Sequence, residues 1–140
     1  MNATPPFRTM VDIQLRFGDT DALGHVNNAT YLSYLELARI EYVARLFGIS
    51  DWRQLDFILA RVEIDYRSPA VMGDDIVVAV RVSRLGGASF DMEYRITEKK
   101  TGRLVAEAKT VQVCFDHAAN KVKRLSAAFK EKVRGFDGLA

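Results

Sequence analysis

Five residues whose side chains can do chemistry fall inside one short stretch: Asp19, Asp21, His25, Asn27 and Asn28. A carboxylate can act as a general base toward water or attack a carbonyl carbon itself. Asparagine can cap a helix, and the unpaired N–H groups of a first helical turn, with the positive end of the helix dipole, can polarise an acceptor. Judged by residue type alone, Asp19 and Asp21 read as turn residues, because Asp side chains readily bond local backbone. A lone histidine in a loop likewise reads as structural.

The flanking elements tell how the stretch is held. Before it, Val11, Ile13, Leu15 and Phe17 alternate with Asp12, Gln14 and Arg16, the pattern of a half-buried strand. After it, Tyr31, Leu35, Ala38, Tyr42 and Leu46 recur at helical spacing, which predicts one long enclosed helix over Ala29 to Phe47. Gly48 stops it. Asn27 or Asn28 caps its start.

Four strands follow. Ile58, Ala60, Val62, Ile64 and Tyr66 share one face of the first, which Ser68-Pro69 ends. Ile76 to Arg84 is rich in valine. Phe90, Met92, Tyr94 and Ile96 alternate with polar residues, and Gly86-Gly87 and Lys99 to Gly102 mark hairpin turns. In the last strand, Leu104 to Phe115, the apolar phase moves from Leu104, Ala106 and Ala108 to Val111, Val113 and Phe115, which predicts a bulge or bend between them. Ser126 caps a short closing helix with Phe129 and Val133 inward. The order implies an α+β domain: a five-stranded antiparallel sheet wrapped around one long central helix, its strands joined in hairpin succession. One sheet around one helix leaves an edge and a face bare, which suggests a second copy.

Composition narrows the class. At 140 residues the chain is one domain, spanning 1–140, with residues 1–8 and 135–140 expected to be loose. Half the residues are hydrophobic and 27% charged, a globular balance. A net charge of +2 is too weak to argue for nucleic acid, which is not expected as a partner, and is compatible with an anionic small ligand. One cysteine, Cys114, precludes an internal disulfide and suggests a cytoplasmic setting. No apolar run is long enough to span a membrane, and the first residues do not form a signal peptide. No His, Cys or Asp set has metal spacing, so neither a metal nor a cofactor is expected. Cys114 reads as a packed, inert thiol, and His117 has no ligand set around it.

The run Phe17-Gly-Asp-Thr-Asp21, then Gly24-His-Val-Asn-Asn28, then Tyr31-Leu, resembles the acyl-CoA thioesterases of the 4-hydroxybenzoyl-CoA thioesterase family. Tyr66-Arg-Ser-Pro69 and Gly73-Asp74 extend the likeness. The resemblance implies the hotdog fold and hydrolysis of an acyl- or aroyl-CoA, with coenzyme A as part of the substrate. It implies that Asp21 is the catalytic carboxylate and that the active site lies at the interface of a homodimer, which in the family can pair into tetramers.

A thioester already has a good leaving group, so it needs a nucleophile or base and donors for the carbonyl oxygen. Asp21 can supply the first in either form. The amides near Asn28 and Ala29 can supply the second, with His25 and Asn27 positioning substrate. Glu36, on the helix, is the fallback acid, though it reads first as an exposed partner of Arg39. Tyr31 and Tyr34 line the core or an acyl pocket. Arg67, Arg84, Lys121, Lys123 and Arg124 are candidates for the phosphates of coenzyme A. Two other functions fit the same fold: a thioester hydratase or dehydratase built on His25 and Glu36, and a binding module without catalysis.

Overall fold

The computed structural model describes residues 6–139. Its elements run β1 (Thr9–Ile13), α1 (Thr30–Phe47), β2 (Phe57–Tyr66), β3 (Ile76–Leu85), β4 (Ser89–Glu98), β5 (Leu104–Asp116), β6 (Lys121–Val122) and α2 (Ala127–Asp137). The strands form one antiparallel sheet in the order β1-β3-β4-β5-β2, with β6 paired to the end of β5. Among the described residues the sheet thus has six strands, one short one more than the alternation showed. Apart from that strand, it is the hotdog expected from the motif, a sheet curled around α1.

The strands do not all follow as hairpins. β2 leaves its neighbour in sequence and pairs with β5, placing Tyr66 opposite Ala106 and Phe57 opposite Cys114. β1 pairs with β3 at the other margin. The two edges of the sheet are therefore β1 and β2, and α1 lies over β1 and β3. A groove remains between α1 and β2.

The core comes from the alternation. Val78, Val80 and Val82 of β3 and Phe90, Met92, Tyr94 and Ile96 of β4 are at most 1% exposed. Against them α1 lays Tyr31, Leu35, Ala38 and Tyr42, the stripe read from the sequence. Its opposite side is open in the single chain: Leu32 is 39% and Leu37 52% exposed. Gly48 ends the helix in the left-handed region, φ 67°, where a Cβ is disfavoured.

β5 departs from the sequence reading. Its inward phase is continuous, with Ala106, Thr110, Gln112 and Cys114 all on the helix side. Val111, Val113 and Phe115 lie on the outer face, so their apolar character marks the second face and not a phase change. The extra residue sits at Val105, between the pairs Ile96–Ala106 and Thr97–Leu104. A second bulge, at Ala60, breaks the β2 phase, so Phe57 and Leu59 precede it on the inner face and Val62, Ile64 and Tyr66 follow it there.

The C-terminal segment carries the closing helix. Ser126 Oγ accepts from the Phe129 amide to cap α2, as read, but the helix continues to Asp137. Phe129 stacks on Phe47 with ring centroids 5.2 Å apart. Leu139 packs against the core. At the other terminus, the Arg81 guanidinium lies 4.7 Å from the centre of the Phe7 ring; residues 1–5 of the segment expected to be loose, and residue 140, lie outside the described residues.

Candidate active site

Asp21 sits in a turn closed by its own groups. Its Oδ1 accepts the Leu23 amide at 2.9 Å and the His25 amide at 3.4 Å. Its backbone N–H donates to the His25 carbonyl at 2.7 Å. Gly24, at φ 77°, makes the reversal that brings His25 back toward Asp21. One carboxylate oxygen is thus fixed, while Oδ2 accepts from no group among the described residues. The side chain is exposed.

The turn is tied to the rest of the fold at several points. Asp19 behaves as the turn former expected: its Oδ2 accepts the Arg16 amide at 3.0 Å and the Tyr34 hydroxyl at 2.8 Å. The Val26 amide donates to the Ala70 carbonyl, and His25 bridges Val71. The Ala70 amide in turn donates to the Tyr31 hydroxyl at 3.1 Å. Arg103 clamps the strap that carries Ala70, donating to Ser68 Oγ, the Pro69 carbonyl and Asp74.

The helix start is arranged differently from the sequence reading. Helical hydrogen bonding begins at Thr30. Asn27 Oδ1 accepts the Ala29 amide at 2.9 Å, so that amide is spent in the turn, and the N-cap position, Ala29, has no side-chain cap; neither Asn27 nor Asn28 caps the helix as expected. The amides of Asn28 and Tyr31 meet no acceptor among the described residues. Asn28 is held by its backbone, its carbonyl accepting the Tyr66 hydroxyl at 2.8 Å.

Tyr31 and Tyr34 are 2% and 3% exposed and support the motif turn through their hydroxyls. Burial and the Asp19 carboxylate push the Tyr34 phenol well above its ordinary range. Neither lines the cavity that opens beside β2. That cavity, about 650 Å³, is walled by Glu36, Arg39 and Ile40 of α1 and by Leu55, Phe57 and Leu59 across the groove, with His117 and Arg53 at its rim. Glu36 does not pair with Arg39: the guanidinium turns inward and donates to the Tyr94 hydroxyl at 3.4 Å. No hydrogen bond joins His25 to Glu36 among the described residues, the pair that hydratase chemistry would use. Cys114 is buried, which pushes its thiol up, away from the reactive thiolate.

The basic residues fall into two groups. Arg67 stands at the motif end of β2, paired with Glu107 at 3.2 Å. Arg84, Lys121, Lys123 and Arg124 stand at the far end of the sheet, and Lys123 is paired with Asp56 at 2.7 Å. Strands of ten residues separate the two ends, about 30 Å at the usual rise. Within one chain these five residues are not brought together.

Tyr66 and Arg103 are the site supports that sequence reading missed. Tyr66 stood in the family-like run Tyr66-Arg-Ser-Pro69, but its hydroxyl contact crosses 38 residues, from β2 to the helix start. Arg103 follows a turn glycine and carries no local signal at all.

The thioesterase-like superfamily matches residues 15–133, which take in the motif turn, α1 and the whole sheet from β2 on. This chain belongs to that superfamily. It is a thioester hydrolase. It is 32% identical over 123 residues to the long-chain acyl-CoA thioesterase FadM of Escherichia coli K12, covering 86% of this chain and 93% of that one. It is 33% identical over 108 residues to a 1,4-dihydroxy-2-naphthoyl-CoA hydrolase of Synechococcus elongatus, covering 73% and 77%. Among solved structures, a thioesterase from Thermus thermophilus complexed with coenzyme A and zinc superposes with a TM-score of 0.82, at 39% identity over 92% of this chain and 94% of that one. In this thioesterase no cluster of three or more His, Cys, Asp or Glu suited to a metal occurs among the described residues.

Proposed function

We propose that this thioesterase hydrolyses acyl-CoA thioesters with Asp21 as the catalytic carboxylate and the Asn28 and Tyr31 amides as oxyanion donors. One observation carries the reading: a carboxylate with one oxygen fixed and the other unengaged, in the turn that leads into unengaged amides at a helix start. Oδ2 removes a proton from water as that water attacks the thioester carbon, or attacks the carbon itself to form a mixed anhydride that water then opens. The carbonyl oxygen gathers negative charge and is met by the amides, which cost no reorganisation because the turn already holds them. The carbon–sulfur bond breaks, and the thiolate of coenzyme A leaves without needing a strong acid. His25 through its backbone, and Asn27 through its backbone and its side-chain bond to the Ala29 amide, position this turn.

The working unit in this reading is a two-fold dimer joined along β2. Among the described residues no strand lies beside its outer edge, while Ile58, Leu59 and Tyr66 are 39%, 45% and 45% exposed. Antiparallel pairing of two β2 strands sets the motif end of one chain beside the far end of the other. The partner's counterparts of Lys121, Lys123 and Arg124 then approach the site that Arg67 flanks, and phosphates of coenzyme A meet both groups. The buried, unpaired Cys114 suits a reducing cytoplasm.

Thiol release from a panel of short, long and aromatic acyl-CoAs tests the reaction. Asp21→Asn is expected to lower kcat about 10²- to 10⁴-fold with an unchanged melting curve. Full activity in Asp21→Asn, with loss in Glu36→Gln, would move the carboxylate to the helix. A quench that traps acyl-enzyme during the first turnover identifies direct attack; its absence identifies the base-assisted route.

A further inference from the structure

Arg39 has an environment that an arginine rarely tolerates. It is 6% exposed, near the middle of α1. A guanidinium carries five N–H donors and a charge that cannot be shed. Here its acceptor is the Tyr94 hydroxyl at 3.4 Å, an oxygen already engaged with Thr110 Oγ1 at 2.7 Å. Among the described residues no carboxylate stands within ion-pair distance of it. Glu36, one turn earlier, lines the same cavity and is exposed, yet forms no pair with it. A buried charge without a counter-ion is costly, and its usual resolution is a partner of opposite sign.

The space before Arg39 suggests where that partner comes from. The cavity of about 650 Å³ is bounded by Ile40, Leu55, Phe57 and Leu59, apolar walls suited to a methylene chain. It lies in the groove between α1 and β2, and α1 begins at the motif turn. Arg39 is nine residues beyond Thr30, about 14 Å along the helix axis at 1.5 Å per residue. A thioester held at the Asn28 amide therefore directs the far end of its acyl group to the guanidinium.

We infer that Arg39 is a specificity-determining residue that receives a negatively charged group at the far end of the acyl chain, so that the preferred substrates are coenzyme A monothioesters of dicarboxylic acids. The inference rests on the thioesterase reading above and deepens it. The phosphates of coenzyme A are a poorer match, because the nucleotide is large and strongly hydrated and the cavity walls are apolar.

Two thioesters of equal chain length decide the matter: octanoyl-CoA, ending in a methyl group, and suberoyl-CoA, ending in a carboxylate. Thiol release by the wild type is expected to favour suberoyl-CoA in kcat/KM by at least about tenfold. Arg39→Met is expected to reverse the order, and Arg39→Lys to keep it in weaker form. If the wild type cleaves both without preference, or Arg39→Met loses activity toward both equally, the inference is overturned and the thioesterase reading stands. If no acyl-CoA releases thiol, that reading fails instead. Calorimetric binding of the two thioesters to wild type and Arg39→Met then decides the inference, and equal affinities overturn it. Arg39→Lys, which keeps the charge, guards against a folding defect in the methionine variant.

Discussion

Asp137 is a carboxylate buried completely in the protein. Its Oδ2 accepts the Tyr42 hydroxyl at 2.5 Å and the Val82 amide at 2.9 Å, a strand N–H beyond the reach of β1. Desolvation outweighs these bonds and raises its pKa above the ordinary range. The native state thus binds this proton more tightly than the unfolded chain, so stability falls as pH rises from about 3.9 toward the raised value. Glu98 works the other way. It accepts the Asp75, Lys100 and Thr101 amides, which lower its pKa, and its stabilisation is lost as pH falls. Melting curves between pH 4 and 8 are expected to show that Asp137→Asn, which keeps an acceptor for Val82, is more stable relative to wild type the higher the pH. A constant difference across that range would assign the effect to packing and not to charge. At this scale Asp19 and Asp21 were legible as members of a motif, whereas Asp137 and Arg39 were not. A buried carboxylate and a surface one are written with the same letter, and the neighbours that set them apart come from other elements.

α1 is the element the sequence describes best, because its apolar stripe and its stop both follow from local geometry. Gly48 at φ 67° meets no atom within 4 Å of an added Cβ, so a substitution there is opposed only by backbone conformation. Gly48→Ala is expected to cost about 1–2 kcal/mol, read as a lower denaturant midpoint at unchanged slope, with kcat per folded molecule preserved. A loss of activity without loss of stability would mean that the helix end communicates with the site. The strands were legible as strands, but their faces were not. In β5 the outward Val111 and Val113 are as apolar as a core row, so hydropathy alone suggested a phase change where the backbone has none. The bulges at Ala60 and Val105, and a third at Ser83, sit where an inserted residue leaves little mark in the pattern.

For the whole molecule, the open β2 edge and the separation of Arg67 from the basic far end both favour the dimer. Ile58 and Leu59 lie on opposite faces of that edge, paired across from Val113 and Gln112. Replacing both with lysine, the residue that natural edge strands use to block pairing, is expected to give monomers by light scattering and to lower kcat/KM at least about tenfold. A monomeric wild type with full activity would remove the two-chain site. The chain by itself determined the elements nearest to hand: the motif turn, the long helix, the alternating strands and their antiparallel class. These rest on interactions a few residues apart, and local chemistry writes them into local spacing. Only the tertiary structure decided that β2 crosses to the far side of β5, that Tyr66 reaches Asn28, that Tyr31 and Tyr34 brace the turn, and that Arg39 faces a cavity. Those outcomes depend on which distant surfaces meet, and that follows from packing the whole chain at once.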